Sequence, residues 1–280
     1  IEKFKQITLY LIQTKSSDIS DFEIYKIFKN NKRILLLLLE QEFIKPNKEI
    51  IKDIFVSKDI NKFPYKHYLY SGIKSFINEK EISIIEKEIK EKYEIEISPF
   101  SEQCRIGENP AYICSLIRQD SAEEFISYVS RTNTSLLSQI QPSIFETNSF
   151  LMERKPTLIE YATFFGSIQI IQYLRYNKVP LTDSLWLYSI HSNNAEIIHF
   201  LEENEIKLEE KLYYRKNITY GKVLKESIKC HHNAITDYIK DNFLNDTQID
   251  FFGKCITKSY NYYYFPNEIG HIISRSNNTK

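Results

Sequence analysis

Glycine is scarce in this 280-residue chain, with six in all. Neither G-x-G-x-x-G nor G-x-x-x-x-G-K-[ST] occurs, so the glycine-rich phosphate loops of nucleotide enzymes are not built here. Cysteine is equally thin: Cys104, Cys114, Cys230 and Cys255 are too few and too irregularly spaced for a disulfide framework. A reducing, intracellular compartment, and a cytoplasmic one, is the expectation from that usage. Net charge is absent as well, since Lys plus Arg equals Asp plus Glu at 37 each. The balance is nearly local, and no basic stripe of the kind that nucleic acid or an anionic membrane needs is visible. The longest purely apolar run, Ile34 to Leu39, is far short of the roughly 20 residues that span a bilayer. Ile1 in place of Met sets the expectation that sequence precedes the chain.

What the chain has in quantity is isoleucine, 43 residues of it, spaced at helical intervals. Through the first hundred residues Pro occurs only at Pro46, Pro64 and Pro99 and Gly only at Gly72. Between them the apolar periodicity predicts helices over Ser20–Asn30, Lys32–Phe43, Lys48–Phe55, Tyr65–Asn78 and Lys80–Tyr93. In the last of these, Glu86/Lys90 and Glu88/Lys92 stand four apart with the acid first, which reads as a solvated, self-paired helix face.

Beyond residue 105 the chain repeats itself. Ile170-Ile171-Gln172-Tyr173-Leu174, Ile197-Ile198-His199-Phe200-Leu201 and Ile235-Thr236-Asp237-Tyr238-Ile239 share one pattern. A fourth copy is Phe125-Ile126-Ser127-Tyr128-Val129. Each follows a turn signal (Asp120-Ser121, Gly166-Ser167, Asn193-Asn194, His231-His232), and each turn follows another helical stretch. The unit is a helix-turn-helix pair with connections of variable length, and such units bury their apolar faces only by stacking. The fold expected is all-α: a helix-turn-helix solenoid over 106–280, preceded by an N-terminal helical region over 1–105.

Pro156 to Ser167 is similar to the first helix of an ankyrin repeat, whose pattern is T-P-L-H-x-A-A-x-x-G. Thr157, Ile159, Ala162, Thr163 and Gly166 stand at the pattern's Thr, Leu, two Ala and Gly. Leu158 replaces its Pro and Glu160 its His. From Gly107 to about Phe265, and again at Phe28 to Pro46, the chain resembles the degenerate ankyrin-type domain found in large families of trichomonad ankyrin-repeat proteins. That resemblance implies a non-enzymatic protein-binding scaffold without a cofactor. In such stacks the side chains between core positions of the first helices face a partner. Carried over, those places include Tyr161 and Phe164 in one unit, Tyr188 and His191 in the next, and Glu226, Lys229 and Cys230 in the third. Tyr161 and Tyr188 are the expected anchors of a protein partner, with Glu226 and Lys229 as rim charge. A structural spacer in a longer array, and a hydrolase or ligase-adaptor role in the N-terminal helices, are the alternatives.

Other clusters read as structure. Cys230-His231-His232 offers zinc-ligand types, but consecutive helical residues point about 100° apart, so the three read as a turn and no metal is expected. Cysteine catalysis is not expected either, because His191 and His199 lie on other helices than Cys230. The acidic pairs Glu123/Glu124 and Glu202/Glu203 read as solvated. Trp186 reads as a core aromatic, and Tyr260 to Phe265 as packing of a terminal helix, not a base-stacking platform.

Overall fold

The computed structural model describes residues 20–208, 218–243, 249–259 and 261–264. Among them are 17 α-helices and no strand. In chain order these are α1 (Asp21–Phe28), α2 (Lys32–Glu40), α3 (Lys48–Val56), α4 (Tyr65–Tyr68), α5 (Tyr70–Ile73), α6 (Glu79–Tyr93), α7 (Ile97–Ile106), α8 (Tyr112–Arg118) and α9 (Ala122–Thr132). There follow α10 (Ser149–Arg154), α11 (Leu158–Phe165), α12 (Ile168–Tyr176), α13 (Leu185–Ser192), α14 (Ala195–Glu203), α15 (Tyr220–Lys229), α16 (Asn233–Phe243) and α17 (Ile249–Ser259). They divide into two units, one of Ile1–Ala111 with Gln141–Lys155, the other of Tyr112–Ile140 with Pro156–Lys280. The boundary expected near residue 105 thus falls at Ala111. Residues 141–155 leave the repeat region and return to the first unit, which accounts for the long interval between the first two repeats.

In the first unit, Leu35, Leu36, Leu38 and Leu39 of α2 are buried among Ile50, Ile54, Tyr68, Ile73, Ile85, Ile89 and Phe100. The single helix expected over Tyr65–Asn78 is broken at Leu69, which leaves helical torsion angles, and ends in a 3₁₀ turn at Lys74–Phe76. Gly72 explains its close approach to α2, since a Cβ there would lie 2.7 Å from the Cβ of Leu39. Pro99 does not separate helices but sits in the first turn of α7, where its missing N–H has no helical partner to lose. Nor do Glu86 and Glu88 of α6 pair with Lys90 and Lys92 of their own helix, where Lys87 and Glu91 are the residues that pair, at 3.7 Å. Glu86 accepts from Tyr70 Oη and Lys74, and Glu88 from Lys66 Nζ at 2.6 Å and the buried His67 at 2.7 Å. Lys32 is buried with Asp59, Nζ to Oδ2 2.8 Å, and donates to the carbonyl of Ile144 at 2.6 Å. That bond fastens the returning segment to α2.

The second unit is built of helix pairs: α8/α9, α11/α12, α13/α14 and α15/α16. First helices neighbour one another in chain order, α8 on α11, α11 on α13, α13 on α15 and α15 on α17. Each pair reverses through one residue with positive φ: Asp120 (50°), Gly166 (75°), Asn193 (49°) and His231 (58°). A left-handed residue at this place lets the next N–H bond back to the carbonyl six residues earlier counting both ends, closing the helix. Ser121 N reaches Leu116 O at 3.0 Å, Ser167 N reaches Ala162 O at 2.9 Å and His232 N reaches Ser227 O at 3.1 Å. In the third pair a hydroxyl relays the bond: Asn194 N donates to Ser192 Oγ, which donates to Ser189 O. Four residues before three of the turns stands a small, fully buried residue, Ala162, Ser189 or Ser227.

The turns also hold one another. The side chain just after one turn donates to the carbonyl three residues before the preceding turn: Ser167 Oγ to Ile117 O (2.5 Å), and Asn261 Nδ2 to Ile228 O (3.1 Å). His232 Nδ1 does the same to Ile190 O at 2.7 Å. A carbonyl only accepts, so Nδ1 carries the proton. The Asp120 carboxylate adds a second link, accepting Gln169 N at 3.1 Å and Ile170 N at 3.0 Å. Asn261, whose own N–H bonds Ile256 O, thus makes after α17 the same two bonds that Ser167 and His232 make after α11 and α15. Tyr264 is buried against Phe252 while Tyr263 is 63% exposed; Tyr260 and Phe265 lie outside the described residues.

Removing the Asp120 carboxylate leaves two helix N-terminal amides of the neighbouring pair without their acceptor. Asp120→Ala is expected to lower stability by about 0.5–2 kcal/mol, in the range of a lost helix cap. Urea unfolding checks this, and an unchanged midpoint would show that the link carries no stability.

Candidate functional site

The seven residues singled out by the repeat pattern divide by burial. Tyr161, Tyr188 and Phe164 are 1%, 3% and 8% exposed. Helix α11 is buried from Leu158 to Phe164 save Glu160, and α13 from Leu185 to Ile190 without a break. The tyrosines therefore do not stand on an open face, and the anchor role expected of them is corrected to packing. Tyr161 Oη accepts from Arg118 at 2.9 Å and its ring lies against Phe165. The repeat register places a residue along a helix, but the turn of the helix about its axis is set by packing on all sides. Helices as apolar as α11 and α13 carry no polar stripe from which to read it. Trp186 is a core aromatic, as its position suggests, with Nε1 donating to Ile206 O at 2.7 Å.

Phe164, His191, Glu226 and Lys229 line up across three successive first helices. The Phe164 ring stacks on His191, centroids 4.7 Å apart and planes 21° from parallel. His191 Nε2 lies 3.2 Å from Glu226 Oε1, and Lys229 Nζ lies 3.1 Å from the same oxygen. Lys229 alone of the seven has a largely exposed side chain, at 56%. Cys230 completes the group, its Sγ 3.6 Å from His191 Nδ1. Glu226, His191 and Cys230 each keep partial exposure, and one ligand atom from each lies within 4.8 Å of the others.

This grouping overturns the sequence argument that set His191 apart from Cys230 because they lie on different helices. Neighbouring first helices touch, and the helix end that carries Cys230 abuts the helix end that carries His191. The readable signal was spacing: Glu226 and Cys230 are four apart and so share a helix face. His199 does stay away, 64% exposed beside Glu202. His231 and His232 are the turn, as their position indicates, the first in the left-handed conformation and the second bonded to Ile190 O.

Electrostatically the group is tuned by burial and by Glu226. Burial works to raise the Glu226 carboxyl, but hydrogen bonds from His191 and Lys229 outweigh it and hold the group down at about 2. Burial, reinforced by the Glu226 charge, pushes the Cys230 thiol up to about 12. A thiol at a helix C-terminus beside a carboxylate is kept protonated, the reverse of the electropositive setting that activates a cysteine nucleophile. The remaining cysteines are free thiols buried in the interior. No helix among the described residues is long and apolar enough to cross a membrane.

Because the folded Glu226 carboxyl ionises below its ordinary value of 4.5, its contribution is present above about pH 4.5 and is lost as pH falls towards 2. Glu226→Gln is expected to cost about 1–3 kcal/mol at pH 7 and pH 5. The gap from wild type should close between pH 4.5 and 2 in denaturant unfolding; a gap independent of pH would contradict the assignment.

No family model, curated protein or solved structure matches this chain.

Proposed function

We propose that the second unit is a degenerate ankyrin-like solenoid, and that the protein is an intracellular, non-enzymatic scaffold that binds another protein. The observation that carries this reading is the recurrence of one turn device in four helix pairs, with side-chain bonds running from turn to turn. Thr157 supports the ankyrin likeness at the place where this chain departs from the family pattern. Glu160, standing for the usual His, closes a capping box with Thr157, Oε2 accepting Thr157 N at 2.8 Å while Glu160 N donates to Thr157 Oγ1. The cap function of the motif is kept with different chemistry.

Buried first helices leave the edge formed by the turns as the accessible surface beside the candidate residues. Gln119, Asn193, His231 and Lys229 are exposed along it, with Glu226 and His191 partly accessible behind Lys229. Partner contact there is polar and directional: Lys229 offers a solvated cation, and the turn residues offer donors on a backbone that is already ordered. Pre-ordered contacts cost little entropy on binding.

Charge reversal at this edge leaves the core intact, unlike removal of the tyrosines. Lys229→Glu with His231→Asp, an exchange compatible with the left-handed turn, is expected to weaken capture of a protein partner roughly tenfold, about 1.4 kcal/mol. Affinity capture with helicity matched by circular dichroism checks it. Retention of the same proteins by both chains would move the interface elsewhere.

A further inference from the structure

The sequence offers a metal motif in the wrong place. Cys230, His231 and His232 are adjacent, and the two histidines are committed to the turn. The structure replaces them with ligands from across the helix interface: His191 of α13, and Glu226, one helical turn before Cys230 on α15. We propose that His191, Glu226 and Cys230 form a binding site for a divalent transition-metal ion of the zinc class, which staples two neighbouring helix pairs together.

Three observations point to this. Residues four apart on a helix present donors to the same side, the spacing by which two ligands of one helix share an ion, and Glu226 and Cys230 have it. The third donor, His191, comes from the adjacent first helix, so the ligands converge from two elements that are already packed. Its ring is held by the stacked Phe164, with Nδ1 3.6 Å from Cys230 Sγ and Nε2 3.2 Å from Glu226 Oε1, and an ion takes one of these two nitrogens.

Distances agree with the ion class. Bonds of about 2.3 Å to sulfur and 2.0 Å to nitrogen at a tetrahedral angle put the two ligand atoms about 3.5 Å apart. Cys230 Sγ and His191 Nδ1 are 3.6 Å apart. One ligand atom from each of the three residues lies within 4.8 Å of the others, and because Glu226 faces Nε2 while Cys230 faces Nδ1, binding requires the carboxylate or the ring to rotate until both meet the ion at one nitrogen. A donor set of thiolate, imidazole and carboxylate selects zinc or its neighbours over magnesium or calcium, which take oxygen ligands. On binding, the sulfur–metal bond forms as the thiol proton leaves to solvent, so affinity rises with pH. Three protein ligands leave a fourth position to water.

One local group opposes the ion. Lys229 Nζ, 3.1 Å from Glu226 Oε1, occupies the carboxylate and must swing into solvent, where more than half of its side chain already lies. Removing that cation should tighten the site.

The test is titration of the full chain, under reductant, with zinc chloride in competition with a chromophoric chelator, and with cobalt(II) as the optical probe. One equivalent is expected, with a thiolate-to-cobalt absorption band. Cys230→Ser and His191→Asn should each weaken zinc binding at least tenfold and remove that band, and Lys229→Gln should strengthen it. His231→Asn, which keeps the left-handed turn, should leave binding unchanged. Wild-type protein that binds no zinc and shows no thiolate band would overturn the proposal without any variant having to fold. Equal binding by Cys230→Ser of matched helicity, or loss of binding on His231→Asn, would overturn it as well.

Discussion

Each helix pair in the second unit has to stop one helix and begin another within two or three residues, and that reversal is the constraint on which the rest depends. A right-handed helix cannot turn back on itself so tightly unless one residue takes positive φ. Gly166 does so without a Cβ penalty, whereas Asp120, Asn193 and His231 each accept a strain of order 1–2 kcal/mol. The strain is offset locally by the closing backbone bond and, between pairs, by side chains that reach the preceding turn. Ser167, His232 and Asn261 perform the same bond with three different chemistries, a hydroxyl, an imidazole and a carboxamide. What repeats is therefore a backbone geometry and a donor, and not a residue type.

That distinction explains what could be read from the chain. Helix positions with a strong apolar period were legible, as was the pairing of helices around Gly166-Ser167, Asn193-Asn194 and His231-His232. Helix α7 was hidden because Pro99 reads as a breaker unless its place in the first turn is known. The return of residues 141–155 to the first unit was hidden because it is fixed by long-range bonds, such as that from Lys32 to Ile144 O, that leave no local pattern. Glu86 and Glu88 of α6 looked self-paired because spacing within a helix is visible and a partner outside it is not. Glu88 in fact serves the buried His67.

The same difference governs the candidate site. Register along the first helices placed Phe164, His191, Glu226 and Lys229 correctly in chain order, and those four do form a continuous line. Rotation about the helix axis was not legible, and it decides whether Tyr161 and Tyr188 meet a partner or the interior. Burial of α11 and α13 on nearly every side shifts accessible chemistry to the turn edge. There a carboxylate held near pH 2 and a thiol held near 12 sit on either side of one imidazole. A thiol kept protonated beside a carboxylate lacks the electropositive setting that activates a cysteine nucleophile.

The most direct test of the account is the backbone conformation at the turns, measured by nuclear magnetic resonance from three-bond HN–Hα couplings and backbone chemical shifts at Asp120, Asn193 and His231. Left-handed values at all three, near the φ of 50°, 49° and 58° described above, are the predicted result. Right-handed helical values would mean that the helices run on through these residues, and the stack of pairs would not exist.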